Sequence, residues 1–344
     1  MWVQVNIPST IKFRVRAIEV FRLSSYGVTA EFRVREGGAS EVVEGFGGSF
    51  PKRYLPTFGL TPVTSALIPT PRGPQAIIHW DLSGEGTPFR VRRFVLREGA
   101  GEADEYWVES PPPAPYVNES PYFFVLQALS RLYVRDGKLL FTDTVTVLKE
   151  GGEAVMLLGY PHTGKSTLLA MTLAEGGVPL TTENTLVEVR GSEAWVVGGT
   201  GVLVYDPKVE RVYGIKLPEG EETTRHGYVI LDLDKITSGI RTEALAKGVK
   251  VAGIYVLHCS FVSKGAEAKA VKGRKVAKTL WHFATAIIRG TDYYEPYPPS
   301  LTTPSIDKFM ADAMRKLSEG YSGRMWEVFG SHAEVLKLIL HQRG

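Results

Sequence analysis

The chain has 344 residues, 44% apolar and 22% charged, with a formal net charge of +3. That is too long for one small core and ordinary for a globular chain, so about two domains are expected. The near-neutral balance argues against nucleic acid, the N-terminus has no signal-peptide core, and no uncharged apolar run reaches the length of about 18 residues that a membrane span needs; a cytoplasmic protein without membrane partners is expected. A single cysteine, Cys259, excludes an intramolecular disulfide and a Cys-cluster zinc site. Three asparagines against 21 prolines suggest adaptation to heat.

Residues 1–110 read as β-rich. Alternating or apolar runs at 12–21, 28–34, 75–80, 89–96 and 105–108 are separated by Gly/Pro clusters at 37–38, 45–48, 69–74 and 84–88. This spacing predicts short antiparallel strands in a small barrel or sandwich. Arg14, Arg16, Arg33, Arg35, Arg90, Arg92 and Arg93 fall within them and read as a solvated sheet face, with an anion-binding face as the alternative. Prolines 111, 112, 113 and 115 predict a stiff extended linker, after which the second domain, 116–344, begins. A helix is predicted over 121–135, with Phe124, Leu126, Leu129, Leu132 and Tyr133 as its apolar stripe, and then one strand over 138–148.

The stretch 153–182 organises the rest. An apolar run at 154–158 is short enough for a buried strand, and a helix is predicted from Lys165 to the stop at Gly176-Gly177. Between them Gly159, Tyr160, Pro161, His162, Thr163, Gly164, Lys165, Ser166 and Thr167 match the phosphate-loop pattern G-x-x-x-x-G-K-[ST] at every fixed position. The two glycines allow successive N–H groups to converge on phosphate oxygens, and the helix start adds the positive end of its dipole. Lys165 is expected to reach the terminal phosphates, Ser166 to ligate Mg²⁺, and Thr167 to donate one more hydrogen bond. The absence of an Asn/Thr-Lys-x-Asp signature favours ATP over GTP.

Further strands are predicted at 178–182, 228–233 and 253–257, a hairpin at 186–197 turned at Gly191-Ser192, and helices at 266–289, 306–318 and 332–341. Residues 233–247 read as a loop with a short helix, and Pro296, Pro298, Pro299 and Pro304 break the segment around them. A phosphate loop needs an acid near the cation. Glu183, followed by Asn184, offers one; Asp232 or Asp234, after the apolar run at 228–231, offers another.

The run GYPHTGKSTLLAMTLAEGGVPLTTENTLVEV resembles the HPr kinase/phosphorylase-like branch of P-loop kinases, itself similar to phosphoenolpyruvate carboxykinase. The resemblance covers about residues 138–205 and implies that Glu183-Asn184 stands where the family has an acidic pair. It also implies a His in the strand before the loop, where this chain has Asp143-Thr144. The expected fold is therefore α/β: an HPr kinase-like P-loop core on a mixed sheet with a helical C-terminal segment, preceded by the β-rich domain. The expected function is ATP-dependent phosphoryl transfer to a hydroxyl, on a protein serine or a small metabolite. Lys165 and Glu183 are the catalytic candidates, and Ser166 and Glu183 the Mg²⁺ ligands. The alternative is a nucleotide-binding regulatory protein or slow ATPase without a phosphoacceptor; self-association into a homo-oligomer stays open.

Three lesser features complete the reading. Lys264, Lys269, Lys272, Arg274, Lys275 and Lys278 read as the solvated face of a helix, or else as a clamp for an anionic substrate. Arg225 and Arg241 are candidates for stabilising charge on a transferring phosphoryl group. His162 could bond a phosphate or face solvent.

Overall fold

The computed structural model describes residues 18–35, 38–63, 73–99, 101–220, 222–291 and 300–341. The expected strand residues 12–17 and the prolines at 296–299 lie outside them. Alternation makes Ile18–Ser25 (β1) and Val28–Arg35 (β2) an antiparallel hairpin, with Phe21, Leu23, Phe32 and Val34 buried. On the outer side Arg22 and Arg33 both pair with the buried Glu31, so this part of the face is charge-balanced.

The glycines at 45–48 do not break the chain into strands. Ala39–Gly47 (α1) and Ser49–Tyr54 (α2) are helices meeting at Gly48, because Val42, Phe46, Pro51 and Tyr54 all find buried positions. Tertiary packing here overrides glycine's low helix propensity. Gly59–Pro62 (β3), Ala76–Leu82 (β4), Arg90–Val95 (β5) and Asp104–Ser110 (β6) complete a six-stranded sheet of order β3-β1-β2-β4-β6-β5. The β2–β4 and β4–β6 pairs are parallel, so the sheet is mixed rather than an antiparallel barrel.

The prolines after β6 do not form an extended linker. Asn118 Nδ2 donates to Ser110 Oγ and to the carbonyls of Pro111 and Pro112, curling the segment into a compact turn. A Cβ on Gly45 would stand 2.3 Å from the Pro113 carbonyl oxygen, so the turn lies directly on α1. Ser120–Arg135 (α3) follows, and its residues from Pro121 to Val134 are all buried. A helix covered on every side is an interior helix, not the edge-on amphipathic one that its stripe suggests. One apolar core runs through it, joining Phe32 and Trp80 of the first sheet to Leu140, Val256 and Met325 of the second and to Leu280 further along the chain.

The predicted strand over 138–148 is two strands, Lys138–Phe141 (β7) and Thr144–Leu148 (β8), parted at Thr142-Asp143, where Asp143 takes φ +51°. Then come Ala154–Leu158 (β9), Lys165–Ala174 (α4), Val178–Thr181 (β10), Thr185–Arg190 (β11), Glu193–Gly199 (β12) and Val202–Tyr205 (β13). The predicted 186–197 hairpin is β11–β12, turned at Gly191. Beyond lie Lys208–Tyr213 (α5), Glu222–Thr223 (β14), Val229–Asp232 (β15), Leu233–Ile236 (α6), Ile240–Lys247 (α7) and Val249–Cys259 (β16). The C-terminal part holds Ala266–Ala270 (β17), Arg274–Thr285 (α8), Pro304–Gly320 (α9), Met325–Gly330 (β18) and His332–His341 (α10). Residues 266–270, expected in a helix, are therefore a strand paired with β18, and the helix begins only after Gly273 at φ +58°.

The second sheet has nine strands in the order β10-β8-β9-β16-β12-β11-β7, with β18 also on β16 and β17 on β18. It is mixed: β9, β16 and β18 run parallel, while β8 is antiparallel to both its neighbours. Its two ends curl towards each other into a half-barrel, since the Thr144 N–H donates to the Glu183 carbonyl and Thr185 Oγ1 to the Thr144 carbonyl. The architecture is α/β with mixed sheets. A third small sheet, β13-β15-β14, stands beside it. No helix among the described residues is long and apolar enough to cross a membrane.

Candidate functional site

Strand β9 is wholly buried, and the chain leaves it at Gly159 to enter α4 at Lys165. Both fixed glycines are sterically required. A Cβ on Gly159 would stand 2.2 Å from Thr163 Oγ1; one on Gly164 would stand 2.7 Å from His332 Nε2 and 2.8 Å from the Cys259 Cβ, at a φ of +103°. The loop is pinned from inside by Thr163 Oγ1 donating to the Tyr160 carbonyl at 2.7 Å, and from β16 by the Cys259 N–H donating to the Thr163 carbonyl at 3.1 Å. His162 sits at φ +66° on the exposed crown. The α4 start contributes N–H groups that have no partner within their own helix.

Lys165 is only 6% exposed. Its ammonium donates to Asp143 Oδ1 at 3.3 Å, to the Tyr160 carbonyl at 3.1 Å and to the Gly159 carbonyl. Asp143 reaches it because the break between β7 and β8 turns this residue inward. Where the family resemblance implies a His, this chain thus holds the carboxylate that balances the loop lysine.

The loop opens onto a cleft of about 750 Å³. Pro161, His162, Gly164, Lys165, Ser166 and Thr167 line one side, and Glu183 stands on its wall. Gly159, Tyr160 and Thr163 are structural members of the turn rather than lining residues. Glu183 is held from both backbone ends: its N–H donates to Thr200 Oγ1 at 2.8 Å, and its carbonyl accepts from the Thr144 N–H at 2.8 Å. Asn184 is buried and faces away, its Nδ2 donating to the Tyr54 carbonyl at 2.6 Å.

The rival acids lie elsewhere. Asp232 caps α6 and lines a separate, smaller cavity with Ser49, Lys52 and Lys235, while Asp234 pairs with Arg241. Arg241 is itself buried, donating also to the carbonyls of Leu180, Gly199 and Thr200, so its guanidinium is a structural clamp and not a cleft cation. Arg225 stacks over Tyr116, off the cleft wall. The lysines from 264 to 278 lie on β17, α8 and the turns beside them, off the cleft wall; Lys275 pairs with Glu327.

Several cleft residues were not singled out from the sequence. Asp206 follows the apolar run of β13, the same strand-then-Asp pattern that drew notice at Asp232, and that pattern could have found it. Arg53 and Tyr54 come from α2, and no local signal marks them. Burial pushes the Tyr54 hydroxyl up to about 12, with Arg53 pulling it down and Glu183 raising it further, so these three groups share one small space. His332, at the start of α10, bonds the Tyr213 hydroxyl through Nδ1 at 2.7 Å and packs Nε2 against Gly164. Burial lowers its pKa to about 4, which keeps the ring neutral at physiological pH. At the rim Phe261 and Val262 are exposed, with the Phe261 ring 4.6 Å from that of His332.

The set fits a nucleotide with its cation on two counts. The turn is closed tightly by glycine at its two fixed positions and delivers the start of α4, with first-turn N–H groups unpartnered within the helix, to the cleft, and Ser166 and Glu183 line the same cleft. Comparison with known proteins adds no family: the chain matches no protein-family model and no curated protein.

Proposed function

We propose that this chain is an ATP-dependent phosphotransferase, an HPr kinase-like P-loop enzyme that moves the terminal phosphoryl group to a hydroxyl. The observation that carries the reading is one cleft lined by Lys165, Ser166 and a backbone-locked Glu183. The loop amides and Lys165 bind the phosphates and hold the charge that spreads over the transferring group. Glu183 accepts the proton of the attacking hydroxyl as the hydroxyl oxygen bonds to phosphorus, and ADP leaves with the electrons of the broken P–O bond. Ser166 would hold Mg²⁺, with Glu183 as a further ligand in place of its role as base; when bound, the ion neutralises phosphate oxygens. Phe261 and Val262 offer an apolar platform for the base at the cleft rim.

ADP production from Mg-ATP tests this, with the protein alone, with a pooled small-metabolite fraction and with a protein extract, using Lys165→Ala as the blank. Lys165-dependent ADP that rises with one pool is expected, and Glu183→Gln should lower it about 100-fold or more while sparing ATP binding. Undiminished transfer by Glu183→Gln would overturn the assignment. One observation favours the second reading, a nucleotide-binding regulator: the Lys165 ammonium is already engaged by Asp143 and two loop carbonyls. ATP binding without stimulation by either pool would select it.

A further inference from the structure

The cleft wall is partly built by the N-terminal region. Helix α2 ends in Arg53-Tyr54, and both side chains line the cleft with Glu183, Asp206 and Tyr228. Arg53 and Lys165 are the two Lys or Arg side chains among the described residues that line it. Lys165 is charge-balanced by Asp143, and the cleft that Arg53 lines also carries two carboxylates, Glu183 and Asp206.

The seat of α2 is fastened to the acid wall. Asn184 Nδ2 donates to the Tyr54 carbonyl at 2.6 Å, a bond that an ionised aspartate could not make, since a carboxylate only accepts. The residue standing where the resemblance implies a second acid is thus the bolt between Glu183 and Arg53. Three residues further on, Thr57 donates to the Gly199 carbonyl through its N–H at 3.0 Å and its Oγ1 at 3.2 Å. The guanidinium carbon of Arg53 lies 5.0 Å from the centroid of the Tyr54 ring, which supports it from one face. A planar, always-charged donor fork held this way at the wall of a cleft suits an oxyanion.

We propose that Arg53 binds an oxyanion in the cleft: the terminal phosphate of the nucleotide, or a carboxylate or phosphate group carried by the acceptor. The N-terminal region then completes the site rather than merely preceding it. This rests on the nucleotide reading above.

The test uses the full chain and its Arg53→Ala and Arg53→Gln variants, with matched thermal melts as the folding control. ATP and ADP affinities are measured by titration, and acceptor kcat/KM with the metabolite pool split on an anion exchanger. If the terminal phosphate is the ligand, both variants lose about 10- to 100-fold in ATP affinity while ADP affinity holds. If the acceptor supplies the anion, both nucleotide affinities hold and kcat/KM for the retained, anionic fraction falls by that factor. Variants that keep the ATP/ADP ratio and acceptor kcat/KM within about threefold overturn the proposal alone. A wild-type chain that binds neither nucleotide overturns the nucleotide reading, and this inference with it.

Discussion

Two buried ion pairs show how differently the same interaction serves this molecule. Asp104 and Arg131, both 0% exposed, join β6 to α3 in the interior. The guanidinium donates to both Asp104 oxygens, at 2.8 and 3.2 Å, and to the carbonyls of Leu301 and Arg97. Lys165 and Asp143 are nearly as buried, at 6% and 8%, yet Lys165 lines the cleft, and Asp143 takes a positive φ where it meets it. The first pair is enclosed and shared among three segments, so it ties the fold together. The second is reachable from the cleft and holds an ammonium that an arriving phosphate would compete for. Burial of a charge is therefore not what marks a site; access to it is.

The largest effect is expected at the enclosed pair. Arg131→Ala leaves Asp104 buried without its main partner and should cost about 3–5 kcal/mol in denaturant unfolding. A loss under about 1 kcal/mol would mean that the interior pair is no tie at all.

Next comes pH, through His332 beside the loop. Its folded pKa of about 4 lies below the ordinary value of 6.5, so between the two the unfolded chain binds more protons than the folded one. Stability is thus full above the unfolded pKa and falls as pH drops from there towards the folded one, by at most about 3 kcal/mol. His332→Phe should flatten that part of the profile; an unchanged slope would assign it to other groups.

The smallest effect belongs to the accessible pair. Asp143→Asn removes the charge that holds Lys165 and should tighten nucleotide binding by about three- to tenfold, read by titration, with little change in melting. Weaker binding would instead make Asp143 part of the phosphate-binding arrangement.

What was legible in the sequence was what repeats or closes over a few residues. The loop between β9 and α4 announced itself by glycines at fixed spacing, and α10 by its apolar period over 332–341. The β11–β12 hairpin was visible in its turn. Where the local signal misled, long-range packing had outweighed it. Glycines 45, 47 and 48 lie within or between helices because Phe46 and Tyr54 find a core to enter, and the 111–115 prolines fold back because Asn118 bonds the carbonyls before it.

The chain by itself determined the phosphate-loop pattern, the short choice of acids at Glu183, Asp232 and Asp234, and the α/β alternation around them, since each is written in neighbouring residues. Only the tertiary structure decided which groups meet. It brought Asp143 onto Lys165, placed Arg53, Asp206 and His332 around the same cleft, and sent Asp232 and Arg241 elsewhere. The physical reason is separation along the chain: Arg53 and Glu183 are brought to one wall by the bond from Asn184 to Tyr54, across 130 residues, and no periodicity within a window of a dozen residues can record it.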